Sequence, residues 1–188
     1  MKRQFILFVY LMIGLLGQAG WAHTFKIPMI IDSDMAHDDA RAIVLLLNQD
    51  HNDIRLMVSS DGAVSPEIGY QNLLHLIRLM KRDDIPVERG RELGKKPPRW
   101  RSWSEQILST GVDNRSVSAI RPMGAAEKII QILQSSQDRI LYICLGPLTN
   151  LADALAKKPY IKNRISKILF FGNRPSIPEP GWNTQRDV

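Results

Sequence analysis

Ile30-Ile31-Asp32-Ser33-Asp34-Met35-Ala36-His37-Asp38-Asp39-Ala40-Arg41-Ala42-Ile43 decides how the rest of the chain is read. An apolar run leads into four carboxylates within eight positions, and an apolar pattern at helical spacing follows through Ala42, Ile43, Leu45 and Leu46. Strand, turn, helix is the opening unit of an α/β sheet. Carboxylates crowded at such a turn repel one another, and a bound cation removes that cost. The turn therefore reads as a metal site. A single aspartate is enough to cap a helix. If Asp38 or Asp39 does so, Asp32 and Asp34 still need a reason to be there.

Outward from this turn the same alternation continues. Ile27–Ile31 reads as a buried strand, Asp38–Asn48 as a helix and Ile54–Val58 as a second strand. Ser65, Pro66 and Glu67 are N-cap, first-position and first-turn residues of a helix to Lys81. A short strand, Pro86–Glu88, is followed by Arg89–Asp113, rich in Gly, Pro, Arg and Trp and without a clear period. That stretch is long for a loop and is expected to be functional. Met123–Ser135 and Pro147–Ala156 read as helices, Arg139–Leu145 and Lys167–Phe171 as strands, and a Pro/Gly-rich loop follows from residue 172. Continuous apolar strands alternating with helices predict an α/β fold: an open, mostly parallel sheet with helices on both faces. Ligands in such sheets sit beyond the carboxyl ends of the strands. The aspartate turn, Ser59–Val64, Leu145–Asn150 and Gly172–Asn183 all fall on that rim.

Of the 188 residues, the first 22 read as a signal peptide. Lys2 and Arg3 precede an apolar Phe5–Leu16, and Gly20 and Ala22 suit cleavage after Ala22. The apolar stretch is short for a membrane span, so no stable membrane insertion is expected after cleavage. Residues 23–188 then form one domain, exported to the periplasm or secreted. Loss of the two leader cations lowers the net charge from +6 to +4. With Cys144 the sole cysteine, no internal disulfide can form, and the core, alone or with a metal, must hold the fold.

The pattern Asp-x-Asp-x-x-x-Asp-Asp-Ala after an apolar strand resembles the inosine–uridine-preferring nucleoside hydrolases. Cys144-Leu145-Gly146-Pro147-Leu148-Thr149-Asn150-Leu151-Ala152 is similar to that family's second signature. Lys167–Gly172 resembles the strand that follows, and Gly181–Asp187 a substrate-loop motif. The resemblance runs from Ile27 to the last residue. It implies a Rossmann-like core and calcium-dependent hydrolysis of the N-glycosidic bond of a ribonucleoside or related N-riboside. Carried over by residue, Asp34 binds Ca2+ and is the catalytic base on the attacking water. Asp39 and the backbone carbonyl of Leu145 are further metal ligands, with Asp32 supporting them from behind. Asp38 and Asn183 contact the sugar. The family's Pro-Gly after the second aspartate is Met35-Ala36 here. Its Gly-Asn after the second strand is Gly62-Ala63, which makes Asp61 a candidate substitute for substrate binding. The acidic residue expected two before the substrate-loop Asn is Gly181. Family members also run on to a His-Asp pair that completes the calcium shell and assists the leaving base. No histidine follows His75 here, so the resemblance implies a sheet incomplete at the C-terminus, in a fragment or a shortened and inactive product. A homo-oligomer is in keeping with the resemblance.

Two other readings stay open from the residues themselves. One is a non-catalytic exported module that binds a sugar or nucleoside. The other is a magnesium-dependent phosphatase with Asp32-Ser33-Asp34 as nucleophile and acid, which leaves Asp38 and Asp39 without a role. His37 reads as a solvent-facing turn residue, His75 as a surface or packing residue, and Cys144 as a small buried hydrophobe. The cations of Arg89–Arg101 alternate with Trp100 and Trp103, a pattern that can bind nucleic acid. The stretch is short and stiffened by Pro97-Pro98, so it reads as a flap at the rim, with no nucleic-acid partner. Trp100 or Trp103 is placed to stack on a base or sugar.

Overall fold

The structure, a computed structural model, describes residues 26–109, 122–172 and Asn183. The stretch read as a signal peptide and the rest of the substrate-loop motif around Asn183 lie outside the described residues.

Five strands form one sheet: β1 (Ile27–Ser33), β2 (Asn52–Ser59), β3 (Val87–Arg89), β4 (Ile140–Cys144) and β5 (Ile165–Phe170). Their order is β3-β2-β1-β4-β5 and every pairing is parallel. β1 is central and buried from Pro28 onward, so it has no need of polar alternation. Its side chains still alternate between two cores. Met29 and Ile31 pack under helices α1 (His37–Leu47) and α2 (Pro66–Leu79) with Ile43, Leu73 and Ile77. Ile30 packs on the other face with Tyr142, Ile129 and Leu151, under α4 (Ala125–Ser135) and α5 (Thr149–Lys157). Helices therefore cover both faces, as the strand pattern predicts. β1 and β4 are neighbours although the 106 residues from 34 to 139 separate them, so the chain leaves β1 to build on both sides of it. That is a topological switch point, where open sheets of this kind hold their ligands.

Element bounds move by at most two residues from the sequence expectations, within the fraying of helix and strand ends. One element is new. Helix α3, Arg101–Ser109, lies inside the stretch read as an irregular loop. A 3-10 turn at Pro159–Arg164 was also not foreseen. Ser65 is the N-cap of α2 as read, its hydroxyl accepting from Ile68 N–H at 3.4 Å. No helix among the described residues is long and apolar enough to cross a membrane.

Candidate active site

The carboxyl ends of the central strands are knitted by backbone hydrogen bonds. Leu145 N–H donates to Asp32 O at 2.8 Å, Ser60 N–H to Ser33 O at 2.9 Å and Val64 N–H to Asp34 O at 3.2 Å. The loops after β1, β2 and β4 thus form one rigid rim. Small residues permit it. A Cβ on Gly62 would lie 2.0 Å from Asp34 Oδ2, and one on Gly146 would lie 2.8 Å from Asp34 N.

The aspartate turn distributes its carboxylates by the strand period. Asp32, fully buried, points to the α4/α5 side. It accepts from Tyr142 Oη at 2.7 Å and from Asn150 Nδ2 at 3.0 Å. Ser33 points to the other side, where its hydroxyl donates to Asp39 Oδ2 at 2.7 Å and accepts from Met35 N–H at 2.9 Å. Asp34 sits past the end of the strand, 2% exposed, and its Oδ2 accepts from Ala63 N–H at 2.9 Å. Neither Asp38 nor Asp39 caps α1. The N-cap is Ala36, with no side-chain bond, and both carboxylates lie in the first turn. The dipole of the helix favours them there.

Asp34, Asp38, Asp39, Leu145 and Asn183 line one cavity of about 420 Å3. Trp100, Trp103 and Phe171 give it apolar walls. Asn183 Nδ2 donates to the Leu145 carbonyl at 2.6 Å and to Phe171 O at 2.8 Å. The structure so brings together five of the residues singled out in the sequence. Asp32 stands behind them. Asp61 does not join them: its carboxylate is taken by Arg101 and by Leu93 N–H at 2.7 Å, and it is absent from the lining. His37 is not a solvent-facing turn residue. Its ring lies 5.6 Å from that of Trp103, and its buried Nε2 has no hydrogen-bond partner among the described residues. Ser33 and the Ala63 N–H are site groups that the sequence reading missed. The serine had a signal, since a hydroxyl two residues before a turn N–H commonly bonds to it.

Burial dominates the electrostatics. It raises the pKa of Asp34, opposed by the Ala63 N–H and other hydrogen bonds. It pushes Asp39 up to about 8, helped by the neighbouring Asp34 and Asp38 charges. Among the described residues no Lys or Arg pairs with Asp34 or Asp39. Two buried carboxyls and a carbonyl make an all-oxygen donor set, which suits a hard cation such as calcium. The set is partial: among the described residues no group of three His, Cys, Asp or Glu side chains is arranged around a metal position.

Residues 29–176 match the family model of the inosine-uridine preferring nucleoside hydrolases. The chain belongs to this family. Two curated relatives, both named as pyrimidine-specific ribonucleoside hydrolase RihA, show the extent of the likeness. That of Klebsiella pneumoniae (strain 342) is 30% identical over 157 residues, which are 78% of this chain and 48% of the relative. That of Escherichia coli O9:H4 (strain HS) is 32% identical over 156 residues, with the same coverage. A solved plant nucleoside hydrolase superposes with a TM-score of 0.72 at 26% identity, covering 86% of this chain and 54% of its own. A purine-preferring ribonucleoside hydrolase from Gardnerella vaginalis has a TM-score of 0.74 at 24% identity, over 85% of this chain and 54% of that one, and so shares the fold. The chain spans about half the length of the curated relatives it matches. Where this family carries Pro after the second aspartate, Met35 sits at φ 55. Proline is locked near −65°, so this hydrolase-like turn follows its own backbone path. The phosphatase reading fails on geometry: Asp32, its nucleophile, is fully buried and held by Tyr142 and Asn150.

Proposed function

We propose that the protein hydrolyses the N-glycosidic bond of a ribonucleoside or related N-riboside, with calcium held at the aspartate turn. One observation carries the reading: Asp34 and Asp39 lie buried together on a cavity that also has Asp38, Asn183 and aromatic walls. Asp34, Asp39 and the Leu145 carbonyl would hold the ion. When bound, calcium orients a water and makes it more acidic.

The chain's own residues do the rest. Asp34 takes the proton of the attacking water. Ala63 N–H and the packing of Gly62 and Gly146 fix its orientation, and fixed geometry supplies much of such a rate. Asp39 is aimed by Ser33. Asp38, the exposed member of the trio, hydrogen-bonds the ribose hydroxyls together with Asn183. Nearby carboxylates stabilise the oxocarbenium-like charge that grows as the bond to the base breaks. Trp100 and Trp103 cover the base. The leader implies work outside the cytoplasm, in the periplasm or after secretion.

The test is ribose release from uridine and from inosine by the full chain, in calcium and in chelator. The expected result is calcium-dependent release that Asp34→Asn lowers on the order of a thousandfold. No release from either nucleoside refutes hydrolysis. A second reading, a ribonucleoside-binding protein without turnover, rests on the same cavity and its aromatic walls. It predicts saturable nucleoside binding with no ribose.

A further inference from the structure

We propose that Arg101 is a positioning residue: with Asp61 it latches helix α3 and its tryptophan wall onto the loop that supports Asp34. The proposal rests on the ribonucleoside reading above and adds to it the device that shapes the base side of the cavity.

Arg101 is the first residue of α3, and its guanidinium reaches into the loop after β2. It grips the Asp61 carboxylate and the Gly62 carbonyl, the latter at 3.1 Å from Nε and 2.6 Å from Nη2. The side chains are only 12% and 3% exposed. Exposed pairs of this kind contribute little. A buried one costs a great deal to break, because the remaining charge is left without a partner. The planar fork is specific to arginine; a lysine offers a flexible point charge without that fixed geometry. Asp61 is anchored from a second side by Leu93 N–H at 2.7 Å.

Two further contacts hold α3 in the same pose. Glu105 accepts from Ser65 N–H at 2.9 Å, at the far end of the same loop. Trp103 packs on His37 of α1. Between the two loop anchors lie the groups that touch the catalytic turn, Ala63 N–H on Asp34 Oδ2 and Val64 N–H on Asp34 O. Helix α3, which carries Trp103 and directly follows Trp100, is thus tied to the loop that holds Asp34. The Gly62-Ala63 departure from the family's Gly-Asn lies at the same place. Here Asp61 serves the cavity from behind, through Arg101, and makes no contact with the sugar.

The experiment compares the full chain with Arg101→Gln, Arg101→Lys and Asp61→Asn. Amide hydrogen exchange is read by peptide without ligand. Uridine affinity, KM and kcat are read in calcium. In Arg101→Gln and Asp61→Asn, protection is expected to fall over residues 100–106 and 62–65 while β1 and β4 keep theirs. KM and the dissociation constant rise about tenfold or more, and kcat changes less. Arg101→Lys, the mildest change, gives an intermediate result. Unchanged exchange over 100–106 in both Arg101→Gln and Asp61→Asn overturns the latch. Lost protection with unchanged uridine affinity overturns its positioning role. Wild-type protein that neither binds nor cleaves uridine or inosine overturns the ribonucleoside reading and this proposal's claim on affinity with it. Exchange still decides, separately, whether α3 is latched.

Discussion

Asp39 and Asp34, five residues apart, are buried on the same cavity at the switch point of the sheet, Asp39 Oδ2 accepting from Ser33 Oγ at 2.7 Å and Asp34 Oδ2 from Ala63 N–H at 2.9 Å. Each is buried and each is pushed toward its protonated form. A pair like this is stable with a shared proton or with a cation, and unstable as two bare charges.

That predicts how the metal-free protein responds to pH. The folded pKa of Asp39, about 8, lies above its ordinary 3.8. The folded state therefore holds this proton more tightly than the unfolded chain. The stability it contributes is present below about pH 4 and is lost as the pH rises toward 8. Asp39→Asn keeps the shape without the charge. In chelator, its stability relative to wild type is expected to grow by roughly 2–4 kcal/mol across that window. Urea unfolding at pH 5, 6, 7 and 8 measures it, and parallel curves for the two proteins would refute it.

A second prediction concerns the close approach of the loops. Gly62→Ala places a Cβ 2.0 Å from Asp34 Oδ2 and 2.5 Å from its Cβ. Asp34 has to swing away or the loop has to open. The expected stability loss is about 1–3 kcal/mol. The expected loss of ribose release is larger, about a hundredfold or more, because a displacement of an ångström costs that much in rate. Full activity in a folded Gly62→Ala protein would contradict the placement of Asp34.

How far the sequence carries is clearest at these residues. Strand period and helix spacing fix β1, the turn and α1, since burial on both faces leaves an uninterrupted apolar run that few other structures use. Asp34, Asp38, Asp39, Leu145 and Asn183 meet on one cavity because each follows a parallel strand at the same end of the sheet. Helix α3 was not legible. Its Trp and Ser residues carry weak helical preference, and tertiary contacts of Arg101, Trp103 and Glu105 hold it. Its one sequence signal was Pro97-Pro98 just ahead of Trp100 and Trp103 at helical spacing. Asp61 was misplaced for a related reason. A carboxylate on the rim looks like a ligand contact until the arginine 40 residues on is seen to claim it. Substrate-loop residues other than Asn183 lie outside the described residues.

Asp32 is predicted to be structural and costly to disturb. Tyr142→Phe removes the hydroxyl that donates to it at 2.7 Å and leaves a fully buried carboxyl oxygen short of a donor. The expected cost is about 1–3 kcal/mol, read as a lower urea midpoint with an unchanged slope. A variant as stable as wild type would mean that the hydrogen bond contributes nothing net.

Away from the site, the end of α2 offers a control on the backbone geometry. Lys81 N–H donates to Arg78 O at 2.9 Å and Arg82 N–H to Ile77 O at 2.8 Å, with exposed Lys81 at φ 55. This left-handed position favours glycine. Lys81→Gly is expected to stabilise by about 0.5–1 kcal/mol, from the relief of Cβ strain at a left-handed position. A destabilised variant would mean that the helix ends differently.

The cation site itself is tested most directly by calorimetric titration of calcium into the full chain after chelation, beside Asp39→Ala. The prediction is saturable calcium binding by wild type, with a raised thermal midpoint, and neither effect in Asp39→Ala. Equal calcium uptake by both proteins, or none by wild type, would contradict a metal centre at the aspartate turn.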